Sequence, residues 1–261
     1  MLVYFCRYIK PSGPVVFYFN RLNMSTTNSH PKWPAFVLFG DSITQFSFSE
    51  EGCWGALLTD HLQRKCDVLN RGFSGYNSRW CKIMLPKIIT ADTAKNVAGV
   101  TLFLGANDSN AGDTNPRQHV PLNEFKQNMA DMVEYLQSIG IEREKIIMIS
   151  PPAYNNDAWQ LECVKKGKPC SKTTENTQKY ATSCVQLCKE TGIWSVDLYS
   201  EMLKNENWKE MLNDGLHLST IGSRLLFKLL QPIIDKLTSD LPMNFPLQDD
   251  IDYENPISSL Q

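Results

Sequence analysis

Phe36-Val37-Leu38-Phe39-Gly40-Asp41-Ser42-Ile43 decides how this chain is read. Four consecutive apolar residues fit a strand buried on both faces, as in a parallel sheet. Gly40 ends the run where the backbone can turn tightly without a Cβ in the way. Asp41 and Ser42 follow, and either is a good cap for a helix start. An apolar strand that turns into a helix is the first half of a β-α-β unit.

Four more short β-prone runs lie downstream: Asp67–Leu69, Val100–Leu104, Ile146–Ile149 and Ile193–Val196. Helical periodicity fills the gaps between them. Trp54, Leu57, Leu58, His61 and Leu62 keep the three-and-four spacing of one helical face. Further helices are expected over Ser78–Ile89, from Pro121 to about Ser138 with Gly140 as the stop, and over Thr174–Glu190 before Gly192. Ser219 or Thr220 caps the last helix, whose stripe runs Leu225, Leu226, Leu229, Leu230, Ile233, Ile234 and Leu237. Core packing explains each stripe.

Strands that alternate with helices imply right-handed crossovers and a parallel sheet. The expected fold is α/β, a three-layer sandwich around a five-stranded, parallel, flavodoxin-like sheet. Such sheets take ligands beyond the C-terminal ends of their strands, so chemistry belongs just after a strand. Residues 34–240 form this domain. Residues 1–33 read as a flexible extension and residues 241–261 as a mobile, acidic, Pro-rich tail. Residues 151–173 read as a long loop that either shapes a pocket or is a surface excursion.

The bulk numbers exclude some partners. Of 261 residues, 26 are Lys or Arg and 28 are Asp or Glu, for a formal charge of -2. That balance gives no electrostatic reason to expect nucleic acid or an anionic membrane. No apolar stretch reaches the length of a membrane span. Eight cysteines without a CxxC pair argue against zinc and favour reduced thiols in a cytoplasmic protein. The extension carries Arg7, Lys10, Arg21 and Lys32 and no acidic residue before Asp41. It reads as a plain extension upstream of a second start at Met24, with a mitochondrial address as the alternative.

Four polar motifs follow strands one, two, three and five. Gly40-Asp41-Ser42 offers a hydroxyl that needs a base within hydrogen-bond reach. Asn70-Arg71-Gly72-Phe73-Ser74-Gly75 brings backbone N–H groups to the same edge, and Gly105-Ala106-Asn107-Asp108 brings a side-chain amide. Both can donate to a developing oxyanion. In Asp214-Gly215-Leu216-His217 the carboxylate reaches Nδ1 across one turn and leaves Nε2 free as a base. Taken singly, each motif is more simply a turn. Metal ligation is the rival role for Asp214 and His217, but no further ligand cluster joins them. His30, His61 and His119 have no comparable setting, and the sequons at Asn23 and Asn107 are discounted.

Jointly, the order and content of these motifs resemble the SGNH, or GDSL-type, hydrolases over residues 36–237. Phe39–Phe46, Cys66–Asn77 and Leu102–Asp108 resemble the isoamyl acetate-hydrolysing branch of that family. The resemblance implies a cofactor-free esterase acting on small-molecule carboxylic esters, with short-chain, acetate or lipid-derived esters as substrates. It implies Ser42 as nucleophile, His217 as base and Asp214 as its orienting acid. Ser42, Gly75 and Asn107 then supply the oxyanion hole. Phe46, Phe48, Trp54, Phe73, Tyr76 and Trp80 lie near the motifs and either line an apolar pocket or pack in the core. The rival readings are a deacetylase of a carbohydrate or another acetylated metabolite, a non-catalytic interaction protein, and a phosphate-binding flavodoxin-like module.

Overall fold

A computed structural model describes residues 33–260. The expectations for residues 1–32, including His30, Cys6 and the Asn23 sequon, lie outside the described residues.

β1 (Ala35–Gly40), β2 (Asp67–Gly72), β3 (Val97–Phe103), β4 (Ile146–Ile149) and β5 (Trp194–Val196) form one sheet in the order β2-β1-β3-β4-β5. Every neighbouring pair is parallel. The described helices are α1 (Ser42–Gln45), α2 (Trp54–His61), α3 (Ser78–Ile88), α4 (Ala91–Ala94), α5 (Leu122–Ser138), α6 (Asn156–Lys165), α7 (Thr174–Thr191), α8 (Leu198–Leu203), α9 (Thr220–Leu237) and α10 (Pro256–Ser259).

Alternation along β1 builds two cores. Phe36 and Leu38 point to the side covered by α2, α8 and α9, where they meet Trp54, Leu58, Met202, Leu226 and Leu230. Val37 and Phe39 point to the side of α3, α5 and α7, against Leu85, Phe125, Met129 and Leu187. β3 is buried along its whole length, as a central parallel strand must be. Fully burying each such Leu, Ile or Phe contributes about 1.5–3 kcal/mol. The three layers expected from the sequence are therefore present.

Register sets the site. Gly40 stands opposite Gly72 on one side and Phe103 on the other, so the first three strands end at one level. The strand order also reverses about β1, which opens a crevice there. Glycine is required at position 72, where a Cβ would collide with the Gln45 backbone.

Local signals act as expected in most helices. Asp41, Asn77, Thr173 and Ser219 cap α1, α3, α7 and α9 through their side chains. Gly192 closes α7 in the left-handed conformation at φ 73°. Ser219, rather than Thr220, is the cap of α9. One expectation fails. Residues 151–173 are not a plain loop, because α6 occupies Asn156–Lys165 within them. Its Leu161 and Val164 are exposed and only Cys163 is buried, so no apolar stripe announces it. After α9 the chain returns to the turn between α2 and β2, where the Asn244 N–H donates to the Arg64 carbonyl at 2.7 Å.

Candidate active site

Ser42 begins α1, directly after β1. Asp41 Oδ1 accepts from the Ile43 N–H at 2.9 Å and fixes the turn that carries the serine. The N–H groups of a helix's first turn have no intrahelical acceptor, which leaves that of Ser42 available to a ligand. On the far side of the crevice, Asp214 Oδ1 accepts from the N–H groups of Leu216 at 3.0 Å and His217 at 2.8 Å. This turn passes through Gly215 at φ 92°, where an added Cβ would meet the Asn155 carbonyl and the Trp159 N–H.

The two turns face each other. His217 Nε2 lies 2.9 Å from Ser42 Oγ, and His217 Nδ1 lies 2.7 Å from Asp214 Oδ2. A hydroxyl, an imidazole and a carboxylate stand in hydrogen-bonded sequence. Burial raises the Asp214 carboxyl, but its hydrogen bonds from His217 and Leu216 outweigh that and hold it below the usual range. Asp214 is therefore ionised at neutral pH and favours a proton on Nδ1. The arrangement can withdraw a proton from the Ser42 hydroxyl.

The second and third motifs complete the crevice. Gly75 adopts φ 81°, and Asn107, 7% exposed, directs Nδ2 to the Tyr76 carbonyl at 2.8 Å. Ser42, Gly75, Asn107 and His217 line one cavity of about 360 Å³. All five residues singled out by sequence thus meet at one place. A smaller cavity, of about 230 Å³, touches His217 and Asp214 beside Phe46 and Ile43.

The aromatic residues near the motifs divide between core and surface, and few reach the cavities at His217. Trp54 is wholly buried, and its indole N–H donates to the Ile43 carbonyl at 3.1 Å. Phe73 packs against Tyr76 and Tyr76 meets Trp80 edge-on, and Tyr76 and Trp80 line a separate groove. Of those six aromatic residues, Phe46 alone meets the His217 ring, with centroids 5.7 Å apart. The residues that line the main cavity are instead mostly polar, among them Asn110, Thr114, Asn115 and Gln118, with Trp159 and Leu216 as apolar exceptions. The 151–173 segment adds Trp159, Glu162, Cys163, Lys166 and Lys172. Sequence flagged that segment as a possible pocket wall but gave no sign of which residues would turn inward.

A buried charge cluster lies under the floor and was not foreseen. Lys172 is 6% exposed and donates to the Ala106 carbonyl. Burial pulls its ammonium down to about 8, against the opposing pull of Asp41 and Asp108. Burial pushes Asp41 up to about 7 and Asp108 up to about 6. His61 pairs with Asp235 and His119 with the Asn110 carbonyl, both apart from Ser42. Among the described residues, no group of three or more His, Cys, Asp or Glu side chains could hold a metal ion, and no helix is long and apolar enough to cross a membrane.

Fold, site and relatives together define a carboxylic ester hydrolase. The chain belongs to the GDSL-like lipase/acylhydrolase family, whose model matches residues 38–225. It is 47% identical to the isoamyl acetate-hydrolyzing esterase 1 homolog of Rattus norvegicus, over 91% of this chain and 96% of the rat chain. It is 44% identical to the Homo sapiens homolog, over 87% of this chain and 92% of the human one. Among solved structures, a lipase/acylhydrolase from Enterococcus faecalis superposes with a TM-score of 0.62 at 24% identity. That match covers 80% of this chain and 98% of the bacterial one, and it speaks to the fold alone.

Proposed function

We propose that this esterase works by acyl transfer through Ser42, His217 and Asp214, on small esters with short acyl groups. His217 Nε2 takes the Ser42 proton as the hydroxyl oxygen attacks the ester carbonyl. The tetrahedral oxyanion is held by the N–H groups of Ser42 and Gly75 and by Asn107 Nδ2. His217 then returns the proton to the leaving alcohol, and Ser42 stays acylated. Water, activated by the same imidazole, releases the acid and restores the hydroxyl. Asp214 holds the tautomer that this sequence needs. No step calls for a cofactor.

The 2.9 Å contact between Ser42 Oγ and His217 Nε2 carries this reading, because a serine hydroxyl is a weak nucleophile without such a base. The short-acyl preference draws on the modest cavity and on the rat relative's printed name. The polar wall of Asn110, Thr114, Asn115 and Gln118 supports a second reading, removal of acetyl groups from a hydroxyl-rich alcohol. Labelling with a fluorophosphonate tests the nucleophile: the wild-type chain should be modified on Ser42, and Ser42→Ala should not be modified. Continued labelling of that variant would move the nucleophile elsewhere. Relative kcat/KM on p-nitrophenyl acetate and on an acetylated sugar separates the two substrate readings.

A further inference from the structure

The oxyanion-hole residues are tied together by a side chain that none of the four motifs contains. Gln118 sits in the connection between β3 and α5 and has all of its amide groups engaged. Its Nε2 donates to the Gly75 carbonyl at 2.9 Å and to Asn107 Oδ1 at 3.2 Å. Its Oε1 accepts from Asn115 Nδ2 at 2.8 Å and from Asn110 Nδ2 at 3.4 Å. Asn110 in turn donates to the Asn107 carbonyl at 2.6 Å. A carboxamide has two N–H donors and one carbonyl acceptor, and here both ends are used. Turning it over would set Oε1 against two oxygens and Nε2 against two amide nitrogens.

We infer that Gln118 is a positioning residue for ester hydrolysis, one that fixes the amide of Asn107 and anchors Gly75 from its carbonyl side. The inference rests on the reading of Asn107 and Gly75 as oxyanion donors. Asn107 Oδ1 is occupied by Gln118, so the Asn107 amide cannot flip without losing that bond and the one to Tyr76. Of the two Nδ2 hydrogens, one goes to the Tyr76 carbonyl and the other is left for the substrate oxygen. Without Gln118 only the bond to the Tyr76 carbonyl resists rotation of the amide, and the donor is held less firmly. Preorganised donors are effective because they need no reorientation during the reaction.

The test is a double-mutant cycle on the full chain, with p-nitrophenyl acetate as substrate and circular dichroism to follow melting. Gln118→Ala should lower kcat by about 10-fold to about 10²-fold, the scale of a misplaced catalytic group, with KM little changed. Gln118→Glu should lose more, because it keeps the acceptor for Asn115 and Asn110 but turns a carboxylate oxygen towards Gly75 and Asn107. It also carries the test if Gln118→Ala fails to fold. If Gln118 acts through Asn107, the double variant Asn107→Ala/Gln118→Ala should be far less impaired than the product of the single losses. Wild-type kcat in both Gln118 variants, or fully multiplicative losses, would overturn the inference. Wild-type kcat in Asn107→Ala would instead overturn the oxyanion-hole reading beneath it.

Discussion

Trp159 meets the His217 imidazole edge-on, with ring centroids 5.9 Å apart. The indole comes from α6, and it forms part of the cavity wall beside Leu216. It is partly buried against the core on the α9 side of the sheet. A large flat side chain in this place limits the room next to the base. Trp159→Ala should therefore widen the cavity and shift preference towards longer acyl groups. One methylene in an apolar pocket is worth about 1–3 kcal/mol, or about 10- to 200-fold in kcat/KM. A series of p-nitrophenyl esters from acetate upward reads the shift directly. An unchanged chain-length profile would place Trp159 outside the acyl subsite.

Asp214 makes two separable contributions, and Asp214→Asn divides them. Asn keeps the Oδ1 acceptor for Leu216 and His217, so the turn should hold. At the other oxygen, 2.7 Å from Nδ1, it substitutes an N–H donor. The imidazole then favours the tautomer with its proton on Nε2, which cannot receive the Ser42 proton. In serine hydrolases of this design that exchange lowers kcat by about 10⁴. The expected result is a collapse of ester turnover with little change in melting temperature. Retained turnover would show that Asp214 does not set the tautomer.

The sequence was a good guide to the frame and a poorer one to the walls. The ends of β1 and β3 were legible because their apolar runs stop at Gly40 and just before Gly105. β2 reads only to Leu69 but continues through Asn70 and Arg71 to Gly72, since an edge strand is only half-buried and tolerates polar residues. Equal strand levels bring the first three motifs together, and within the four motifs the family resemblance singled out Gly75 beside Ser42, Asn107, Asp214 and His217. Gln118 could not be singled out, because its partner Gly75 is 43 residues away and its own neighbourhood looks like an ordinary polar turn. α6 escaped because it packs through Trp159 and Cys163 while exposing Leu161 and Val164, which cancels the helical pattern. Of the two readings open for Trp54, core packing holds, because α2 turns its indole into the core.

The buried Asp41 gives the protein a pH signature of its own. Its Oδ1 serves the Ile43 N–H, while Oδ2 has no hydrogen-bond partner. Burial raises the carboxyl from 3.8 to about 7, although the Ile43 N–H and the charges of His217 and Lys172 pull the other way and Asp108 adds to the rise. A carboxyl raised on folding binds its proton more tightly in the native chain than in the unfolded one. Its contribution to stability is full below 3.8 and is lost as pH climbs to about 7. Asp108, raised to about 6, acts in the same direction. Asp41→Asn keeps the Oδ1 acceptor and removes the ionisation. Melting curves taken from pH 4 upward should show wild-type stability falling relative to Asp41→Asn until about pH 7, with the difference constant beyond it. Parallel curves for the two proteins through this window would mean that Asp41 ionises in the folded chain as freely as in water.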